Sequence, residues 1–429
     1  MFNRYDAYKD SGIDWVGKIP AHWNVLKLGS IFEQRNQKVS DQDYPALSVT
    51  KNGIVPQLDN AAKTKDGDNR KLVLKGDFVI NSRSDRKGSS GLSSLDGSVS
   101  LINIVLKPKK IEPKFSHHLM KCNAFIEEYY RVGRGIVADL WTTRFEEMKT
   151  MNLALPSVEE QRQIADFIDQ RLVEIDQAIA IKEQQITLLN ERKQIVIQKV
   201  VTQGLNPNLP MKDSGVEWIG QIPEHWKCVK LKYFIDLIPG YAFKSEEYSS
   251  NDKDIKLLRG INVSPNQIKW SETVYWPSEK VDMYEEYLLQ EGDIVIAMDR
   301  PWVSGGIRIA EIGKHDLPAL LLQRVARMRS KVGISNKYLK LLLTNDLFLA
   351  YFTPMLTGIS VPHISGNQIE NFICPLPNID EQNQIIQYLE QNLSEIKKAK
   401  ELLLTQIEKL KEYKTTLIND AVTGKFKVA

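Results

Sequence analysis

The chain has 429 residues, 26% of them charged and 42% hydrophobic, a balance that suits a globular chain with two or three cores, and its net charge of only +3 neither demands nor excludes nucleic acid. No apolar run reaches membrane-span length, and the opening MFNRYDAYKD lacks the apolar core of a signal peptide. Three distant cysteines, Cys122, Cys228 and Cys374, form no CxxC pair, so buried thiols in a reducing cytoplasm are expected and a structural zinc is not.

In chain order, residues 10–23 read DSGIDWVGKIPAHW, a Gly/Pro-rich segment with two indoles and one imidazole. A lone His without Cys or carboxylate at ligand spacing is a weak metal signal, so a rigid strap whose indoles wedge against a helix end is expected. Residues 1–155 form a first domain, with strands expected at 44–50, 72–81 and 99–106. Ser116 is expected to cap a helix running to about residue 130, with His117 and His118 exposed on it.

Residues 156–203 form a long helix that opens on LPSVEEQRQI, where Ser157 and Glu160 stand at capping-box spacing. Its 4,3-spaced seam runs through Ile168, Leu172, Ile175, Ile179, Ile186 and Leu189, with Lys182 and Lys193 interrupting it. The strap then returns at residues 213–226 as DSGVEWIGQIPEHW, at an offset of 203. Residues 204–376 form a second domain, with strands expected at 255–258, 287–298, 306–311 and 320–328 and a helix from Ser335 to about residue 352. Residues 377–429 repeat the helix at an offset of 221, opening on LPNIDEQNQI. The second seam holds Leu389, Leu393, Ile396, Leu403, Ile407 and Leu410. Two ordinary amphipathic helices packed separately would also satisfy the pattern, but the length and the absence of internal Gly and Pro favour a coiled pair. A compact domain that links the end of one helix to the start of the other makes that pair antiparallel. By the same symmetry the first strap belongs beside the end of the second helix.

No catalytic signature is present: no GxxxxGK[ST] loop, no amino-methyltransferase tetrapeptide, no Gly-rich dinucleotide turn. The basic loops carry the positive signal. GDFVI at 76–80 and GDIVI at 292–296 each lead into a polar, basic loop. Lys51, Asn52, Ser82, Arg83, Arg86, Lys87 and Arg134 in the first domain are candidate DNA contacts. Arg259, Arg300, Trp302, Ser304 and Arg324 are their counterparts in the second. Arg bonds guanine O6 and N7 bidentately, and Ser and Asn suit base edges or phosphates. Singly, each reads as a solvated surface residue; as a set at paired positions in two equivalent domains they point to DNA. Up to the matching Val201-Thr202 and Val422-Thr423 the helices carry eight acids and six bases each, and they do not look like phosphate trackers.

The SGxxWxGxIPxHW strap and the LPxxxEQxxI helix start, each present twice, resemble the specificity subunits of type I restriction–modification systems, as do GYAFKSEEY and LLRGIN between Gly240 and Asn262. The likeness spans essentially the whole chain. It implies an α+β fold with a pseudo-twofold internal repeat: two similar mixed α/β target-recognition domains joined by two long helices in an antiparallel coiled coil. It implies a non-catalytic subunit that reads a split, asymmetric site in double-stranded DNA, with the helix pair as a ruler. Two methyltransferase subunits and restriction subunits would be its partners. S-adenosylmethionine, ATP and Mg2+ would be used by those partners, with no cofactor or metal in this chain. A coiled-coil protein adaptor, or a self-sufficient nuclease or methyltransferase with cryptic motifs, remains the alternative reading.

Overall fold

The structure is a computed structural model that describes residues 3–58, 67–135, 141–303, 305–356 and 362–428. It divides into two compact units, Met1–Gln184 with Leu403–Ala429, and Gln185–Leu402. Each unit therefore holds one head domain, the first part of one long helix and the last part of the other.

Each head has its own four-stranded sheet, in the same strand order. In the first, an antiparallel sheet runs Ser90–Leu92, Phe78–Asn81, Asn103–Pro108, Phe32–Gln34. In the second the same order is Ile309–Glu311, Ile294–Ala297, Val325–Ser330, Ile235–Pro239. The central strands Phe78–Asn81 and Ile294–Ala297 are buried along their whole length. Alternation explains their unbroken apolar sequence: Phe78 and Ile80 face one core, while Val79 faces another. Ile294 and Ile296 likewise separate from Val295 and Ala297. Asp77 and Asp293, just ahead of these strands, are buried and held bidentately by Arg35 (2.7 and 3.0 Å) and Arg329 (2.6 and 3.0 Å). The same carboxylate is thus met from a different strand in each head.

Several expected elements are shorter than their apolar runs. The run 72–81 is two strands in two sheets, Arg70–Val73 and Phe78–Asn81, separated by a turn at Gly76. The run 320–328 likewise splits into Ala319–Leu321 and Val325–Ser330 around Arg324. Residues 287–298 keep a strand only at Ile294–Ala297, after a 3-10 stretch Ser278–Tyr287. Two neighbouring cores, rather than one, supply a burial site for each half of such a run. Ser116 is not a cap: the helix starts at Pro113 on the Glu112 carboxylate, and Cys122 divides it from Asn123–Arg131. Ser335 does cap Asn336–Thr344, and Asn345 then restarts the helix as Asp346–Phe352.

The long helices span Val158–Gln203 and Ile379–Val422. Every apolar seam residue named above is buried or half-buried. In the first unit Lys414 meets Asp176 at 2.7 Å and Lys182 meets Gln406 at 2.7 Å, so partners fall in number as the first helix advances, and the pairing is antiparallel. In the second unit Ile197 and Val200 share a core with Ile385 and Leu389, and Lys400 reaches Asn190 at 2.6 Å. Three seam lysines thus end on polar partners across the pair, with stems along the seam. Lys193 is exposed and leaves the stripe to Val196, Ile197 and Val200.

The repeated motifs do the joining. Ser157 and Asn378 accept the N–H of Glu160 and Glu381, as caps should. The glutamates do not complete the capping box. The Glu160 carboxylate takes the Trp23 indole N–H (3.1 Å), the Tyr5 hydroxyl (2.7 Å) and the His22 ring (2.9 Å). Glu381 takes Trp226 (3.3 Å) and His225 (2.8 Å). The next residue is a buried amide in both copies. Gln161 accepts from Glu112 N–H and donates to Pro156 C=O; Gln382 accepts from Ser335 N–H and donates to Gly333 and Pro377 C=O. At the far end, Gly204 and Gly424 close the helices at φ +72° and +70°, against the rings of Trp226 and Trp23. Strap one also accepts Lys425 Nζ at the carbonyls of Val16 and Lys18, which places it beside the end of the second helix as the repeat predicts.

His117 and His118 are not exposed. His118 is buried and bonded to Asp169 on the long helix (2.8 Å), and His117 Nδ1 accepts the Leu92 N–H (3.2 Å). Burial, then the neighbouring His118, pulls His117 down to about 4; His118 is also lowered, by burial first, against the pull of Asp169. A pKa depressed on folding means that the unfolded chain binds the extra proton. Stability from these groups is whole above about pH 6.5 and is lost as pH falls toward 4, by up to about 3 kcal/mol for His117. His117→Asn, which keeps an acceptor that does not titrate, is expected to flatten that part of the acid limb in urea unfolding of the first unit. Gln382→Leu orphans the Ser335 N–H and the Gly333 carbonyl and is expected to cost about 1–3 kcal/mol, read as a lowered denaturation midpoint of the second unit.

Candidate nucleic-acid interface

The basic loops leave the C-terminal ends of the two central strands, and one backbone bridge repeats there. Thr143 N–H donates to Ser82 C=O in the first head, and Ile364 N–H to Met298 C=O in the second. The adjoining bridges are Arg83 with Thr142 and Asp299 with His363. Equivalent backbone therefore carries a cation in one mouth and an anion in the other.

In the first mouth Arg83 and Arg134 both bridge Thr142, so the structure brings these two exposed arginines together. Arg134 lies 3.6 Å from Glu147, while the Arg83 guanidinium has no partner among the described residues. Lys51 and Asn52 form the exposed tip of the hairpin Leu47–Thr50 and Gly53–Pro56. Lys51 and Arg86 line a cleft of about 600 Å³ whose wall includes Thr50, Asn81, Ser89 and Asn103. Asn81 and Asn103 are cross-strand partners, both buried, and the Asn103 Oδ1 has no hydrogen bond among the described residues. Two candidates sit differently. Ser82 is buried by the bridge, and Lys87 turns toward Glu127 (2.6 Å) and the Tyr130 ring.

In the second mouth Arg259, Arg300 and Arg324 share one cleft of about 590 Å³ with Asp299 and Arg308. Arg300 and Arg324 have φ of +44° and +71°, backbone states that cost a non-glycine residue roughly 1–2 kcal/mol. Hydrogen bonds hold them there: Arg300 N–H to Pro362 C=O (2.7 Å), and Met298 N–H to Arg324 C=O (2.9 Å). Asp299 accepts from Arg324 (3.4 Å) and faces His363 Nδ1 (2.6 Å). Arg259 turns to the Glu272 carbonyl. Trp302 lies apart from the cleft, its ring stacked on Phe352 and close to Phe348, and Ser304 falls outside the described residues.

Arg308 was not among the residues that the loop pattern selects. It is half-buried and donates to the carbonyls of Val263, Asp299, Arg300 and Gly260, tying the LLRGIN segment to the loop after the central strand. Burial lowers its pKa, against the pull of Asp299. The one sequence signal was a lone arginine between the apolar residues Ile307 and Ile309. The GYAF motif lies on the other wall: a Cβ on Gly240 would stand 2.2 Å from the Leu322 carbonyl oxygen, and Gln323 N–H donates to Tyr241 C=O. This close approach places Arg324. Among the described residues no group of His, Cys, Asp and Glu has metal-binding geometry, and no helix is long and apolar enough to cross a membrane.

A family model described as the type I restriction modification DNA specificity domain matches residues 20–191 and again 223–408. The chain is 29% identical over 430 residues to the type I restriction enzyme MjaVIII specificity subunit of Methanocaldococcus jannaschii, over 96% of this chain and 94% of that one. It is 36% identical over 186 residues to the EcoAI specificity subunit of Escherichia coli, over 43% of this chain and 31% of that one. A solved structure described as the basis of complex assembly and conformational transition of the type I R-M system matches at TM-score 0.69 and 16% identity, over 94% of this chain and 98% of that one. The HsdS subunit from Thermoanaerobacter tengcongensis matches at TM-score 0.57 and 17% identity, over 95% of this chain and 98% of that one. At these identities the two structures share the fold.

Arg308→Ala releases four carbonyls that now converge on one guanidinium. Amide hydrogen exchange at 259–263 and 299–301 is expected to quicken on the order of tenfold or more, while the central strand Ile294–Ala297 keeps its protection.

Proposed function

The chain belongs to the type I restriction–modification DNA specificity family and is its non-catalytic DNA-recognition subunit; from that premise we propose that each head reads one half of a split, asymmetric site and that the helix pair sets the unread gap. The observation that carries this reading is the repeat itself. Straps, helix starts and sheet order occur twice, whereas the mouths differ in charge and side-chain chemistry. One frame bearing two unlike mouths suits a bipartite site with unlike halves. Contacts to base edges supply the sequence information, and basic residues on phosphates supply register.

On this reading Lys51, Asn52, Arg83, Arg86 and Arg134 face the first half-site, and Arg259, Arg300 and Arg324 the second. The two half-sites then face the protein about one helical turn of duplex apart, roughly 34–36 Å centre to centre. Two equivalent copies of the frame suit two copies of a methyltransferase subunit, with restriction subunits joining them in the cytoplasm. S-adenosylmethionine, ATP and Mg2+ then belong to those partners.

The test is a methylome of cells that express the chain with its methyltransferase subunit. A split, asymmetric motif that depends on the chain is expected; no new methylation with the partner bound and active would leave a protein adaptor instead. Arg83→Ala is expected to weaken specific binding, in a salt-dependent manner, without unfolding the first head. Inserting one heptad into both helices adds about 10.5 Å, or about 3 base pairs, and is expected to lengthen the unread gap by that amount with both half-sites unchanged.

A further inference from the structure

We infer that the cleft of the second head is built to read a G·C base pair, with Arg300 and Arg324 as the guanine readers and Asp299 as the acceptor for the paired cytosine; this rests on the reading that the head faces duplex DNA. The major-groove edge of guanine offers two acceptors, O6 and N7, and cytosine beside it offers the N4 amino donor. A matching surface needs a guanidinium fork and a carboxylate side by side. The second mouth has that set: Arg324 lies 3.4 Å from Asp299 Oδ1, Arg300 is the adjoining residue, and all three line one cleft.

The occupancy of each group supports this assignment. The Arg300 side chain is exposed and has no partner among the described residues. Asp299 Oδ1 is taken by Arg324 and His363, while no hydrogen bond is made to Oδ2 among the described residues. The donors of Arg308 go to backbone carbonyls, which makes it a positioning residue, while Arg259 gives one terminal nitrogen to the Glu272 carbonyl and its buried Nε has no partner among the described residues. A site for phosphate alone would gain nothing from a carboxylate on its floor, which repels the anion. Backbone held at positive φ for two arginines indicates that direction, and not merely charge, is fixed at these positions.

The first head has a guanidinium–carboxylate pair in its cleft as well, Arg86 with Asp85 at 3.5 Å, but not at the equivalent position. At the equivalent bridge it carries Arg83 with Thr142, and the cross-strand pair at its mouth is Asn81 with Asn103, where the second head has Ala297 with Val325. The inference is therefore confined to one half-site.

The test is the methylome of the chain with its methyltransferase subunit, for wild type, Arg300→Ala, Arg324→Ala and the double variant Arg324→Gln with Asp299→Asn. One half of the wild-type motif is expected to contain a fixed G·C position. Either alanine variant is expected to relax selectivity at that position roughly tenfold to a hundredfold and to leave the other half unchanged. Arg324→Gln combined with Asp299→Asn, in which the Gln suits adenine N6 and N7 and the Asn amide can donate to thymine O4, is expected to shift preference there toward A·T, an outcome that misfolding cannot produce. Uniformly weaker methylation with the same motif would make these arginines phosphate contacts and overturn the inference. A wild-type half-site of A·T pairs alone would do the same while leaving two-headed reading intact. A wild-type motif that is not split would overturn the two-headed reading and, with it, the inference.

Discussion

A buried amide at the start of each long helix is the constraint on which the rest depends. Gln161 and Gln382 have almost no solvent to hydrogen-bond, so their partners are fixed: a head-helix N–H on one side and the proline carbonyl that precedes the long helix on the other. Leaving such groups unpaired is expensive, which sets the angle at which each head leaves its helix. The glutamate one residue earlier adds the third member by taking the strap's buried indole N–H. Strap, head and helix thus meet at two adjacent side chains. That is a physical reason for an EQ pair to recur beside a recurring HW.

The frame leaves the mouths free to differ. The sheet order, the bidentate arginine on Asp77 or Asp293, and the bridge to Thr143 or Ile364 are built from backbone and buried ion pairs. Side chains that project beyond the bridge bear little of that load. Arg83 can therefore stand where the other head has Asp299, and Asn103 where it has Val325, without altering the fold. Support is thereby separated from contact. The left-handed arginines of the second mouth are the exception, since there the backbone itself is held away from its preferred state.

The frame was legible in the sequence because its signals are local or periodic. Capping residues, the 4,3 seam, the doubled strap and the alternating cores each follow from a short stretch and its repeat. The candidate sites were legible only as a list of loop residues. Of that list, Arg83 with Arg134, Lys51 with Arg86, and Arg259 with Arg300 and Arg324 come together, while Ser82 is buried and Trp302 packs on Phe352. Composition could not separate these cases, because an arginine that supports and an arginine that reads look alike in sequence. Arg308 was missed for that reason.

What the sequence determined by itself was the repeat, the two long helices, their antiparallel pairing and the family, since each rests on periodicity, caps or a doubled motif. What only the tertiary structure decided was which carboxylate meets which indole, where apolar runs break between two cores, and which charged groups share a cleft. The physical reason is distance along the chain. Glu160 and Trp23 lie 137 residues apart, and Arg324 and Asp299 lie 25 apart, one in the turn before a strand and the other in the loop after a different strand. Such contacts are chosen by the packing of whole elements, which no local pattern encodes.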